Sequence, residues 1–327
     1  MNKLNIAVTG GGNSGEYDIS VKSSQRVASL LNPDKYNVFL ILIRGKEWTY
    51  TDAEGQVHQV NLNNFSLSLN YRKITFDLVF NVIHGTPGED GKLQGYFEML
   101  GIRHTSCDSI TSALTFNKSF CNKVVSAFGV KTARSLHLNR RGAYVPDQIL
   151  NELRLPVFVK PNCGGSSVGM SKVNTPDELL PALELAFRHD KEVLIEEYIK
   201  GREITCGVYA KDGVPIALPL VEVVSKKEFF DYEAKYSESL AEEILPAPIS
   251  AELTMKCQET AKVLYARLNC KGVVRFDFIL SEGEFWFLEV NTVPGMTSAS
   301  IVPKMARHAG MELPEFYDLL IDEALRI

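Results

Sequence analysis

The 327-residue chain has no Cys-x-x-Cys pair, no Gly-Lys-Ser/Thr phosphate loop, no block of basic residues and no long apolar run. Each absence excludes something. The six cysteines (Cys107, Cys121, Cys163, Cys206, Cys257 and Cys270) are scattered, as expected for reduced, buried small hydrophobes in a cytosolic protein. The six histidines form no pair at metal-ligand spacing, which argues against a structural zinc. No stretch approaches the roughly 20 apolar residues of a membrane helix. The opening "MNKLNIAVTGGG" runs straight into a strand and glycine loop, unlike a cleavable signal. With 40 acids against 35 bases, neither nucleic acid nor an anionic membrane is an expected partner. The length exceeds one small core and suits two or three domains.

What is present alternates strands with helices. "LNIAVTGGG" is an apolar strand ending in glycines, "DISVKSSQRVASLL" has helical period, and "NVFLILI" and "DLVFNVIHG" are further strands. That order predicts a parallel sheet covered by helices, with ligands at the strand ends "GGGNSGE" and "HGTPGEDG". From about residue 106 the pattern changes. "SITSALTFNKSFCNKVVSAFGV" reads as one helical stretch, followed by strands "PVFVKP", "SVGMSKV" and "EVLIEEYI" and the helix "PDELLPALELAFRH". Beyond residue 202 more strands follow, a polar segment "SKKEFFDYEAKYSES" interrupts them, and a helix, a hairpin and a helical tail close the chain. The expected units are 1–105, 106–204 and 205–327, with no internal repeat and no low-complexity linker.

Two stretches carry chemistry. "KPNCGGSSVG" is a glycine-rich tip flanked by strands, so it is neither a Walker loop nor a dinucleotide fingerprint. Such a tip can fold over phosphates, offering backbone N–H groups and serine hydroxyls. Lys160 just before it, and Lys118 upstream, would add positive charge; the bland alternative is a flexible surface hairpin. The N-terminal Gly10, Gly12 and Gly15 imitate the dinucleotide spacing. Glu16 follows at once, however, and an anion there suits a cationic ligand group better than pyrophosphate.

The second stretch, "RFDFILSEGEFWFLEVN", reads as a hairpin turning at Ser281-Glu282-Gly283. A three-residue loop would put Phe276, Phe278, Leu280, Trp286, Leu288 and Val290 on an apolar face. Arg275, Asp277, Glu289 and Asn291 would then form a polar cluster at the open end. Oxygen donors of this type suit Mg²⁺, which keeps substrate phosphates in its shell. An edge hairpin with a merely charged outer face is the alternative.

Lysines and a glycine lid for phosphate, with carboxylates for a metal, resemble the ATP-grasp superfamily. Within it the chain resembles the D-alanine–D-alanine ligase family over nearly its whole length. The motifs are "GGNSGEYDIS", "HGTPGEDGKLQG", "SALTFNK", "VKPNCGGSSVGMSKV", "VLIEEYIKGREIT", "FFDYEAKY" and "LEVNTVPGMTSASIVP", in the family's order. The resemblance implies α/β and α+β architecture: an N-terminal parallel-sheet (pre-ATP-grasp) domain followed by a two-domain ATP-grasp fold. It implies that Lys118 and Lys160 touch the ATP phosphates and that Ser166 and Ser167 belong to the loop covering them. Glu196, Glu197 and Ile199 would hold adenine, and Glu203 the ribose. Asp277, Glu289 and Asn291 would bind two Mg²⁺ ions, with Mn²⁺ able to substitute.

The same resemblance assigns the substrates. Glu16 would pair with the ammonium of a first D-alanine, with His84 nearby. Lys235, Ser300 and Ile301 would take the second D-alanine. Tyr236 would link Glu16 to Ser166, closing the site, and its presence favours D-alanine over D-lactate. Arg275 and the N–H of Gly295 would meet the oxyanion formed when an amine attacks an acyl phosphate. A cytoplasmic homodimer serving peptidoglycan synthesis is implied. A D-alanine–D-lactate or other D-amino-acid ligase is the alternative of the same class. From other classes, a dinucleotide-dependent oxidoreductase would leave the metal hairpin without a purpose. A catalytically dead nucleotide-binding regulator would not need intact Arg275, Asp277, Glu289 and Asn291.

Overall fold

Three large β-sheets and one two-stranded hairpin, joined by helices, are seen in a computed structural model that describes residues 3–142, 144–225 and 241–326. In the first sheet β1 (Leu4–Gly11) runs parallel to β2 (Tyr36–Arg44), and α1 (Tyr17–Leu30) crosses between them. β3 (Glu47–Thr51) and β4 (Val57–Gln59) extend that edge in antiparallel fashion, while β5 (Ser66–Leu69) and β6 (Arg72–Thr75) form a separate hairpin. β7 (Leu78–Asn81) pairs in parallel with the other side of β1, and after α2 (Lys92–Met99) the short β8 (Arg103–His104) joins β7. The last six residues of β1 are buried without alternation, as befits a central parallel strand covered on both faces. α1 lies close against it because its inward residues are small: Ser20, Ser23 and Ser24 are buried, and a side chain on Gly10 would collide with Ser24.

The stretch read as one helix is two, α3 (Ser109–Phe116) and α4 (Lys118–Ala127). Asn117 is the reason. Its extended backbone ends α3, and its side chain accepts the Phe120 N–H as the N-cap of α4. The second sheet follows, after β9 (Lys131–Thr132), from β10 (Ser135–Asn139), β11 (Val157–Pro161), β12 (Ser171–Val173) and β13 (Glu192–Glu197). Its order is β10-β13-β11-β12, all antiparallel; α5 (Pro146–Glu152) and α6 (Leu179–His189) add their apolar residues to its core. The strand expected from Ser167 starts only at Ser171, so the glycine-rich tip is a longer turn than the sequence suggested.

The third sheet has β14 (Arg202–Lys211), β15 (Val214–Ala217), β16 (Val221–Ser225), β17 (Ala241–Ile244), β18 (Val273–Ser281) and β19 (Glu284–Asn291), with β9 at its edge. α7 (Ala251–Arg267) packs on β14 and β15. α8 (Ile301–His308) and α9 (Leu313–Arg326) return to the first sheet, where Tyr317 meets Phe80 edge-on at 5.7 Å between centroids. One core therefore joins Ile6, Val8 and Phe80 of the first sheet to Val273, Met305 and Phe316 near the end of the chain.

The β18–β19 hairpin corrects the sequence reading. Ser281 pairs with Glu284, so the loop is the two-residue Glu282-Gly283, both left-handed with φ of 50° and 77°. The register returns to the expected one at the open end because Leu288 is an extra residue: Phe278 faces Phe287, whereas Asp277 faces Glu289. The core-facing set is accordingly Phe276, Phe278, Leu280, Phe285, Phe287 and Val290, and Trp286 and Leu288 leave the core.

Candidate active site

Two adjoining cavities lie among the three sheets. The first, about 720 Å³, opens between the second and third sheets. It is lined by Lys118, Lys160, Ser166, Ser167, Glu196, Glu197, Ile199 and Glu203, the eight residues expected at ATP. Phe158, Ile279, Trp286 and Leu288 supply apolar walls of the size a flat ring requires. Trp286 and Leu288 are there because of the two-residue turn and the bulge.

Lys160 and Glu196 stand on the neighbouring strands β11 and β13 and form a buried ion pair, and Asn122 donates to the other Glu196 oxygen at 2.6 Å. The break at Asn117 puts Lys118 at the start of α4, where its Nζ donates to Gly164 O at 2.6 Å and lies 3.7 Å from Glu289. In the tip itself Ser166 and Ser167 have φ of 54° and 56°, and Ser166 Oγ donates to Glu16 Oε1 at 2.5 Å. This contact ties the second sheet's loop to the start of α1.

The second cavity, about 770 Å³, shares Glu16, Lys118, Ser166, Glu203 and Glu289 with the first. His84, Arg275, Asp277, Asn291, Gly295, Ser300 and Ile301 also line it. Lys235 and Tyr236 lie outside the described residues. Arg275 holds Asp277 through Nε at 2.9 Å and a terminal nitrogen at 2.8 Å, and Thr205 Oγ1 donates to the same carboxylate at 2.5 Å. Burial opposes the Arg275 charge, but Asp277, by attraction and hydrogen bonding, and Glu289 outweigh it and raise the pKa. A fixed cation therefore stands in the cavity wall.

Asp277 and Glu289 face each other in register and Asn291 faces Arg275. Among the described residues no three His, Cys, Asp or Glu side chains gather at one point. A cation here would thus rely on two carboxylates, the Asn291 amide oxygen and oxygens from phosphate. That is an all-oxygen set of the kind Mg²⁺ accepts, so the residues present fit the ion.

Sequence reasoning overlooked Glu89 and Ser23. Glu89 is buried in the same cavity, accepting N–H groups from Gly85 at 2.6 Å and Val293 at 3.4 Å. Burial, then the charge of Glu16, pushes its carboxyl up to about 8. It sits inside "HGTPGEDG", already marked as a ligand end, which was the available signal. Burial likewise lowers the pKa of His84, with Glu16 opposing.

Comparison with known proteins agrees with this geometry. Residues 5–107 match the family model described as D-ala D-ala ligase N-terminus, and residues 124–322 match D-ala D-ala ligase C-terminus. The D-alanine--D-alanine ligase of Flavobacterium johnsoniae is 46% identical over 98% of this chain and 99% of its own length. That of Parabacteroides distasonis is 42% identical over 99% and 98%. Among solved structures, VanG D-Ala:D-Ser ligase from Enterococcus faecalis superposes with a TM-score of 0.89 at 36% identity, covering 99% of this chain and 100% of that one. D-alanyl-alanine synthetase A from Vibrio cholerae gives 0.89 at 30% identity, covering 100% of both. Matched from end to end in sequence and in fold, the chain belongs to the D-alanine–D-alanine ligase family and has its ATP-grasp architecture.

Proposed function

We propose that the two cavities join two D-alanines with ATP as phosphoryl donor, supplying D-alanyl-D-alanine for peptidoglycan precursors. The chain is an ATP-dependent ligase by family. The observation that carries the detailed reading is the shared wall: Glu16, Lys118, Ser166, Glu203 and Glu289 line both cavities, so a terminal phosphate in one reaches a carboxylate in the other.

A carboxylate is a poor electrophile at neutral pH. Transfer of the γ-phosphoryl group onto it gives ADP and an acyl phosphate. Such a transfer depends on positioning and charge neutralisation more than on a covalent enzyme group. Lys118 and Lys160 hold the phosphates, and the Ser166–Ser167 turn covers them. Glu196, Glu197 and Ile199 hold adenine, with Glu203 on the ribose. Asp277, Glu289 and Asn291 would hold two Mg²⁺ ions, or Mn²⁺, whose charge would offset that of the phosphates. Glu16 pairs with the ammonium of the first D-alanine, with His84 adjoining. Ser300, Ile301 and Lys235 receive the second, whose neutral amine attacks the acyl carbon and passes its surplus N–H proton to the departing phosphate. Arg275 and the Gly295 N–H stabilise the oxyanion until inorganic phosphate leaves. Tyr236 reinforces the contact between Glu16 and Ser166.

We read the units as 1–105, 106–204 and 205–327, although β14 begins at Arg202 and β9, within the second unit, pairs with β19 of the third sheet. No helix among the described residues is long and apolar enough to cross a membrane; we read the enzyme as a cytoplasmic homodimer. The test is phosphate release from Mg·ATP with D-alanine, L-alanine, D-serine or D-alanine plus D-lactate, with product masses read in parallel. Release that requires D-alanine and yields its dimer is expected. A mixed ester or a D-serine-containing product as the main species would reassign the second substrate, and no release with any of them would sink the reading.

A further inference from the structure

His84 is a neighbour of the substrate whose two ring nitrogens both face protein. Nδ1 lies 2.7 Å from Val293 O, and Nε2 lies 3.4 Å from Ser23 Oγ. A carbonyl can only accept, so Nδ1 carries the hydrogen. Ser23 Oγ already accepts the Met296 N–H at 3.2 Å, which leaves its hydroxyl hydrogen to donate to Nε2, and the buried ring disfavours a second proton there. The hydrogen bonds therefore run in one direction, from Met296 N–H through Ser23 and His84 to Val293 O.

The two ends of this chain of bonds are the two ends of the segment Val293–Met296, which contains Gly295. Its entry is held a second time, through the Val293 N–H, by Glu89 at 3.4 Å and Asn291 at 3.1 Å. Pro294 has no N–H to offer. Gly295 is thus left as the one residue of the four whose N–H has no protein acceptor among the described residues, and it lines the second cavity. Ser23 and His84 belong to α1 and to the loop after β7, whereas the segment follows β19. The anchor crosses from the first sheet to the third. The backbone N–H of His84 is itself held by Ser20 Oγ at 3.0 Å, and Ser20 donates to the Glu16 carbonyl at 3.1 Å. One face of α1 thereby connects the site's ammonium-binding carboxylate to its Gly295 loop.

We propose that Ser23 and His84 are positioning residues that clamp Val293–Met296 so that the free Gly295 N–H points at the oxyanion of the second, amide-forming step. They act through the loop and touch neither ATP nor the reacting atoms. The proposal deepens the ligase reading and rests on it. Its signature is a split between the two steps, because the phosphate-holding lysines lie on the second sheet and on α4, away from the clamp.

The experiment compares unaltered enzyme with Ser23→Ala and His84→Asn. The Asn variant retains an N–H near the Nδ1 position but lacks the Nε2 acceptor. Acyl phosphate formation is read as D-alanine-dependent positional isotope exchange in ¹⁸O-labelled ATP, and the second step as dipeptide production. Removing one oxyanion donor costs roughly 10²- to 10³-fold in comparable sites, so misaiming it should lower dipeptide production by about tenfold to a hundredfold. In Ser23→Ala, which leaves His84 beside Glu16, exchange should stay within about threefold of the unaltered enzyme. Equal losses in both steps, or none in either, would overturn the clamp. No exchange in the unaltered enzyme would instead overturn the ligase reading and the proposal with it. A second measurement does not depend on the variants folding: ¹⁵N-histidine spectra of the unaltered enzyme, with His84 assigned by its loss in His84→Asn or by proximity to Val293. Hydrogen on Nδ1 and a bare Nε2 are expected; hydrogen on Nε2 would reverse the chain of bonds and defeat the proposal.

Discussion

Burial at Glu89 reverses the direction in which a carboxyl group ordinarily ties stability to pH. Burial, then the charge of Glu16, pushes its folded pKa up to about 8 from the ordinary carboxyl value of 4.5. Between those two values the folded chain binds a proton that the unfolded chain has released. Stability must then fall as pH rises through that window. The full shift corresponds to a few kcal/mol, on the order of 1.4 kcal/mol for each unit. Urea unfolding of the unaltered protein at pH 5, 6.5 and 8 should show this term, and Glu89→Gln should flatten it. The amide can accept through only one atom, so the variant will be less stable than the unaltered protein at pH 5. Identical slopes for the two proteins would show that Glu89 is ionised throughout. The same residue illustrates what a sequence hides. Its partner Val293 is 204 positions away, and the Ser23–His84 contact spans 61. No local spacing announces either.

The β18–β19 hairpin shows how far patterning reaches at the level of an element. Its polar end was legible, because Arg275 and Asp277 share a face and so do Glu289 and Asn291. In between, "EFWFLEV" offers four apolar residues in succession, so alternation does not choose between Trp286 with Leu288 and Phe285 with Phe287. Turn chemistry decided it: Glu282-Gly283 makes the tighter loop and the surplus residue becomes the bulge at Leu288. The break at Asn117 escaped notice similarly, since helical period continues across it and only the capping residue marks the boundary. Lys160, the glycine-serine tip and the strand "EEYI" were legible because each stands at a strand end, where ligands gather, whereas Lys118 opens α4. The two faces of the hairpin now carry distinct predictions. Leu288→Ala removes a cavity wall, so the KM for ATP should rise by roughly tenfold, from lost apolar contact of about 1–2 kcal/mol, with little change in unfolding. Phe278→Ala empties a fully buried site and should cost about 3–5 kcal/mol of stability. Steady-state kinetics and denaturant midpoints for both variants would separate the faces; a stability loss at Leu288 matching that at Phe278 would contradict the bulged register.

Across the whole molecule, the first and third sheets are bound by a shared core through α8 and α9, whereas the second sheet reaches α1 through its loop. The Ser166–Glu16 hydrogen bond is that connection, and Lys118 to Gly164 fixes the same turn from the α4 side. In the proposed function Glu16 is also the carboxylate that would meet the first substrate's ammonium. On that reading the closed turn would organise the acceptor and cover the phosphates together. An acyl phosphate is susceptible to water, so the covering loop has to exclude it until the second amine attacks. Ser166→Ala deletes a hydrogen bond to a charged group, worth about 1.5–3 kcal/mol, which corresponds to a fall of roughly tenfold to a hundredfold in dipeptide production if it acts only in the closed state. The more telling quantity is stoichiometry. The unaltered enzyme should release one phosphate for each dipeptide. The variant should release more phosphate than dipeptide, and the excess should depend on D-alanine, because only a formed acyl phosphate can be lost to water. Parallel phosphate and dipeptide assays measure this directly. A slower variant that still keeps one phosphate per dipeptide would mean that Ser166 aligns Glu16 without guarding the intermediate, and that water is excluded elsewhere in the fold.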